Sequence, residues 1–127
     1  MATSIKLGDD FMKIPKLDEA GKNWVIYKDR FLWSIDARGY LDHVDGTESA
    51  PRDPITRPVL RAVVLEKEWK KELKLWNQGE AIVKQQIAAT ISDSLFMKIR
   101  GQPTAHDIWR TLTREFENKS RMVSVDL

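Results

Sequence analysis

His43 and His106 are the only histidines in this 127-residue chain. Histidine is the side chain best suited to proton transfer or metal ligation near neutral pH. The residues around the two do not spell a metal site such as HExxH, so no metal is expected at either. His106 falls in the first turn of a helix and reads as a solvated side chain. A general base would also need a nucleophile held beside it, and no such grouping can be read from the chain. Asp9 with Asp10 and Asp42 with Asp45 lie in stretches that read as loops, where carboxylates serve solvation. The six glycines form neither GxxxxGK[ST] nor GxGxxG, so there is no phosphate cradle, and no cofactor or small-molecule substrate is expected. With no catalytic constellation, the chain is not expected to be an enzyme.

One charged pattern remains. Lys67, Lys70, Lys71 and Lys74 fall on one side of a helix, opposite Trp69 and Leu73. As a solvated face they need no partner, and Glu66 supports Lys70 at four-residue spacing. As an RNA-contact stripe they would neutralise phosphates without reading bases, giving weak and strongly salt-dependent binding. Aromatic residues for base stacking are not interleaved with them. Net charge does not decide between the two, because 21 basic residues are nearly balanced by 19 acidic ones, for a total of +2.

The elements that carry these residues read as helices throughout. Residues 1–22 lack a sustained period and are expected to be a partly ordered arm, with Phe11, Ile14 and Leu17 able to pin it to a core. Residues 23–127 are expected to form the domain proper. Trp24, Tyr27, Phe31 and Ile35 fall within about 80° on a helical wheel, and Gly39 closes that helix. Tyr40, Leu41 and Val44 then make a short apolar continuation. The stretch DGTESAPRDPITRP, with three prolines, reads as a loop crossing the surface. Pro58 suits a first helical turn, and Val59 to Trp76 reads as a long helix whose halves face different ways: Leu60, Val63 and Val64 on one side, Leu65, Trp69, Leu73 and Trp76 nearly opposite. A break is expected near Asn77 to Gly79, followed by a helix over Glu80 to Thr90. Ser92 can cap a short helix carrying Leu95, Phe96 and Ile99, and Gly101 closes it.

The clearest element is TAHDIWRTLTREFENKS. Thr104 and Asp107 are spaced as a capping box, and Ala105, Ile108, Trp109, Leu112 and Phe116 recur on one face. After Asn118 the residues KSRMVSVDL begin a further apolar pattern that reads as cut short. No region alternates at period two, so the expected fold is all-α, a compact bundle of about five or six helices. The longest apolar runs fall far short of the roughly 20 residues that span a bilayer, and no signal-peptide core opens the chain. The absence of cysteine excludes a disulfide framework and fits a reducing, cytoplasmic setting.

Tryptophan distribution suggests where contacts lie. Trp24, Trp69, Trp76 and Trp109 fall on apolar faces and read as core. Trp33, with Ile26 and Ala37, lies opposite Trp24 and Phe31. Either that helix is central in the bundle or its second side is a self-association surface. Ile26, Trp33, Leu60, Val63 and Val64 are the candidates for contacts between subunits.

Three segments in order, KLDEAGKNWVIYKDRFLWSIDARGYLDHVDGTESAP, then EKEWKKELKLWNQGEAIVKQQIAATISDSLFMKI, then TAHDIWRTLTREFENKS, resemble the N-terminal capsid region of the Gag polyprotein of copia-type long-terminal-repeat retrotransposons. Trp24 after Asn23, Trp76 ahead of an alanine and isoleucine helix, and Ile108 with Trp109 before Phe116 carry the resemblance. The chain departs from the family pattern at Tyr27, where Trp is usual, and in having neither the further capsid helices nor a zinc knuckle. The residues suit a capsid fragment, a decayed element or a host gene that has adopted one. The resemblance implies an all-helical, retrotransposon capsid N-terminal-domain-like structural protein. Its copies would form a homo-oligomer in virus-like particle assembly around the element's RNA, with no membrane partner. Two other readings are a domesticated adaptor that takes a peptide or protein partner in an apolar groove, and a non-specific RNA-binding module.

Overall fold

Among residues 14–47, 49–52 and 62–125, those the computed structural model describes, five helices form and no strand does. They are α1 (Trp24–Ala37), α2 (Leu41–Asp45), α3 (Ala62–Ala89), α4 (Asp93–Ile99) and α5 (Ala105–Val125). The all-α expectation holds. α5 packs against α1, α2 and α3, and α2 also touches α1 and α3.

The core follows the helical periodicity of the sequence. Trp24, Tyr27, Phe31 and Ile35 of α1 meet Val83 and Ile87 of α3 together with Ala105, Ile108, Trp109, Leu112 and Phe116 of α5. The aromatic rings form a stack at its centre: Phe31 lies 4.6 Å from Trp109 at 14°, and Trp24 lies 5.5 Å from Phe116 at 24°. Offset aromatic pairs of this kind add about 0.5–1.5 kcal/mol each beyond burial alone. Lys28 Nζ reaches Glu117 Oε1 at 2.9 Å across the α1–α5 seam, and this bond holds the Glu117 carboxyl below its usual range.

The segment ahead of α1 is tied down at several points. Leu17 is buried in the core and its N–H donates to the Thr90 carbonyl at 2.8 Å, while Ile14 packs beside it. Asn23 accepts from the Asp18 N–H and donates to the Lys16 carbonyl, both at 2.8 Å. Ser92 and Ser94 hydroxyls donate to Glu19 Oε1 and hold its carboxyl below the usual range. Phe11 lies outside the described residues.

Helix ends agree with the capping residues. Gly39 follows α1 at φ 82°, a left-handed conformation that favours glycine. Ser92 Oγ accepts from the Leu95 N–H, capping α4. At the start of α5 the Asp107 N–H donates to Thr104 Oγ1 at 3.1 Å and the Thr104 hydroxyl donates to Asp107 Oδ2 at 2.9 Å.

Two expectations about helix continuity need correction. The chain does not break at Asn77 to Gly79, because α3 runs unbroken through 28 residues. Glycine within a helix costs only about 1 kcal/mol relative to alanine, and here it admits a neighbour described below. The pattern after Asn118 is not a new helix, since α5 continues to Val125. The short apolar continuation after Gly39 forms a helix of its own, α2. The helical start expected at Pro58 lies outside the described residues.

Candidate interaction surface

α1 buries one face and leaves the other apolar. At about 100° per residue, Ile26 and Trp33 lie opposite Trp24 and Phe31. Since the buried face already meets α3 and α5, Ile26 is 55% exposed and Trp33 is 69% exposed. This exposure argues against the reading of α1 as a helix covered on both sides. Ile26, Asp29, Arg30 and Trp33 line one surface depression. Val25 is a further exposed apolar residue of the same helix.

The other subunit-contact candidates are not brought to this face by any described contact. Leu60 lies outside the described residues. Val63 and Val64 belong to α3, but their side chains are outside the described set. The four RNA-contact candidates, Lys67, Lys70, Lys71 and Lys74, are all exposed on α3. Lys70 Nζ stands 3.5 Å from Glu66 Oε1, the four-residue pair the sequence suggested. A pair so exposed contributes little to stability.

The tryptophans divide differently from the core reading. Trp24 and Trp109 are buried, but Trp69 and Trp76 are only partly so. The Trp69 indole N–H donates to the Pro51 carbonyl at 3.0 Å, so it anchors the loop that follows α2 rather than filling the centre. Trp76 packs its ring 5.5 Å from that of His43. With Tyr40, Pro51 and Leu75 it lines a second depression, on the side where α2 meets α3. Of the three apolar residues expected on the short helix capped by Ser92, Leu95 and Ile99 are buried, whereas Phe96 is 39% exposed.

His43 is the residue that spacing described least well. Its ring is buried and Nδ1 hydrogen-bonds Glu80 Oε2 at 2.7 Å, while Glu80 Oε1 accepts from the Ala105 N–H at 3.0 Å. One carboxylate thus joins α2, α3 and the first turn of α5, where negative charge is favoured by the helix dipole. A Cβ added at Gly79 would stand 2.3 Å from His43 Nε2, so the glycine is the recess that lets the imidazole lie against α3. His106 is not solvated as expected: it is half-buried, and its Nδ1 pairs with the Val44 carbonyl at 2.8 Å. Both rings therefore have structural partners. The sequence signal for the first contact was a lone glycine inside a helical pattern, which marks close approach as well as a break.

Among the described residues, no cluster of three or more His, Asp or Glu side chains is placed to hold a metal. None of the described helices is long and apolar enough to cross a membrane. A family model described as gag-polypeptide of LTR copia-type matches residues 32–127. No curated protein and no solved structure matches the chain.

Proposed function

Because the chain belongs to the gag polypeptides of copia-type LTR elements, a family with a capsid-like structural role, we propose that this helical domain self-associates in particle assembly and that the outer face of α1 makes a contact between copies. The observation that carries the assembly reading is the exposure of Trp33 and Ile26 on a helix whose opposite face is already committed to the core. A large aromatic residue beside an aliphatic one, rimmed by Asp29 and Arg30, has the composition of an interface centre with a polar border. Exposure of this kind has no role in stabilising the isolated domain.

Replacing Trp33 with glutamate tests the reading. Trp33→Glu should keep the far-UV helical signal and sediment as a lighter species than the unmodified chain at equal concentration. Loss of helicity would place Trp33 in the fold rather than in an interface, and identical sedimentation of both proteins would remove α1 from the assembly.

The lysine stripe supports a second, subordinate role, because Lys67, Lys70, Lys71 and Lys74 all reach solvent on one helix. Four phosphate contacts would give weak RNA retention that falls steeply with salt. Glutamate replacement of Lys70 and Lys71 should abolish any retention seen at low salt. The adaptor reading would gain from a chain that stays monomeric at high concentration and captures a peptide in the Tyr40 and Trp76 depression.

A further inference from the structure

The geometry points to a parallel two-fold contact between α1 helices of two copies of this chain, with Asp29 of each copy beside Arg30 of the other. This rests on the proposal above that α1 is an assembly face, and adds the partner's identity, symmetry and orientation. Ile26 and Trp33 are seven residues apart and form the centre line of the exposed face, while Asp29 and Arg30 project about 50° to either side of it. All four line the same depression. Neither charged residue has an ion-pair partner among the described residues.

The placement of the two charges discriminates between the possible pairings. In a two-fold pair the same patch meets itself. If the axis runs along the helices, the left flank of one copy faces the right flank of the other. Asp29 then meets Arg30 twice, and Ile26 and Trp33 each meet their own equivalents at the centre. If the axis runs across antiparallel helices, each flank faces itself. Asp29 then meets Asp29 and Arg30 meets Arg30, two like-charge contacts, and Ile26 meets Trp33. Charge complementarity therefore selects the parallel form. A contact built on one 14-residue helix is small, and belongs to the weak, concentration-dependent class in which assembly draws on many copies.

The chain contains no cysteine, so single cysteine substitutions report the orientation without background. Under mild oxidation at high concentration, Ile26→Cys and Trp33→Cys should each form a covalent dimer with itself. An equimolar mixture should give no preference for the 26-to-33 product. Asp29→Arg and Arg30→Asp should each weaken dimerisation by roughly tenfold, and the double exchange Asp29→Arg with Arg30→Asp should restore it. Far-UV circular dichroism confirms that each variant is folded, and Ile26→Cys serves if the loss of the indole in Trp33→Cys weakens the contact itself. Preferential 26-to-33 cross-linking would overturn the parallel orientation while leaving self-association through α1 intact. Oligomers without any α1 cross-link would overturn the α1 contact. A monomer at every concentration would overturn the assembly proposal along with this one.

Discussion

Gly79 and Tyr27 each show how a single position is set by what it touches. A methyl group at Gly79 would collide with the His43 ring at 2.3 Å. That ring is held by Glu80 and cannot retreat without leaving the carboxylate half-paired. Gly79→Ala should therefore lower stability by about 1–3 kcal/mol despite the better helix propensity of alanine. Denaturant midpoints would measure it, and a stabilised variant would mean that the imidazole moves freely. Tyr27 is buried and its hydroxyl lies 2.7 Å from Thr90 Oγ1; burial pushes its pKa up to about 12. The unfolded chain releases this proton near pH 10 while the folded one keeps it, so folding is weakened as pH rises from about 10 to 12. The stability of the unmodified protein should fall more steeply across that window than that of Tyr27→Phe, by on the order of 2 kcal/mol. Equal slopes would contradict the buried, protonated phenol. Of these two positions, Tyr27 was legible as core because it repeats with Trp24 and Phe31. The His43 contact was not, because Glu80 lies 37 residues from His43, and a lone glutamate in a charged helix carries no periodic signal.

The starts of α4 and α5 were readable in the sequence, because capping is local chemistry. The Thr104 and Asp107 reciprocal bonds satisfy donors at the first turn of α5, with Glu80 taking the Ala105 N–H as well. Thr104→Ala should cost about 1 kcal/mol, read as a lower thermal midpoint, and Thr104→Ser should recover most of it. Equal midpoints for Thr104→Ala and the unmodified protein would mean that Glu80 alone caps the helix. Continuity was less readable than starting points. Asn77, Gln78 and Gly79 look like a break, yet α3 passes through them, since the Gly79 penalty is small beside the packing of Glu80, Val83 and Ile87 further along the same helix. Phe96 was no more readable: helical spacing gives its angle, but the core built by the other elements buries Leu95 and Ile99 instead.

At the scale of the whole molecule, one helix serves two surfaces. The inner face of α1 supplies the centre of the aromatic stack, and its outer face presents Ile26 and Trp33 to solvent. The sequence exposed this duality as two apolar arcs on one wheel and marked the Trp24 arc as core, leaving open whether the Trp33 arc was covered as well; the exposure of Ile26 and Trp33 answers that. Membership in the copia-type gag family is the ground for the contact between copies proposed on the uncovered arc. The most direct test is the light-scattering mass of the unmodified chain over a concentration series. The mass should climb above the 14.7 kDa monomer as concentration rises, and stay at the monomer value for Trp33→Glu. A constant 14.7 kDa for the unmodified chain at every concentration would contradict self-association.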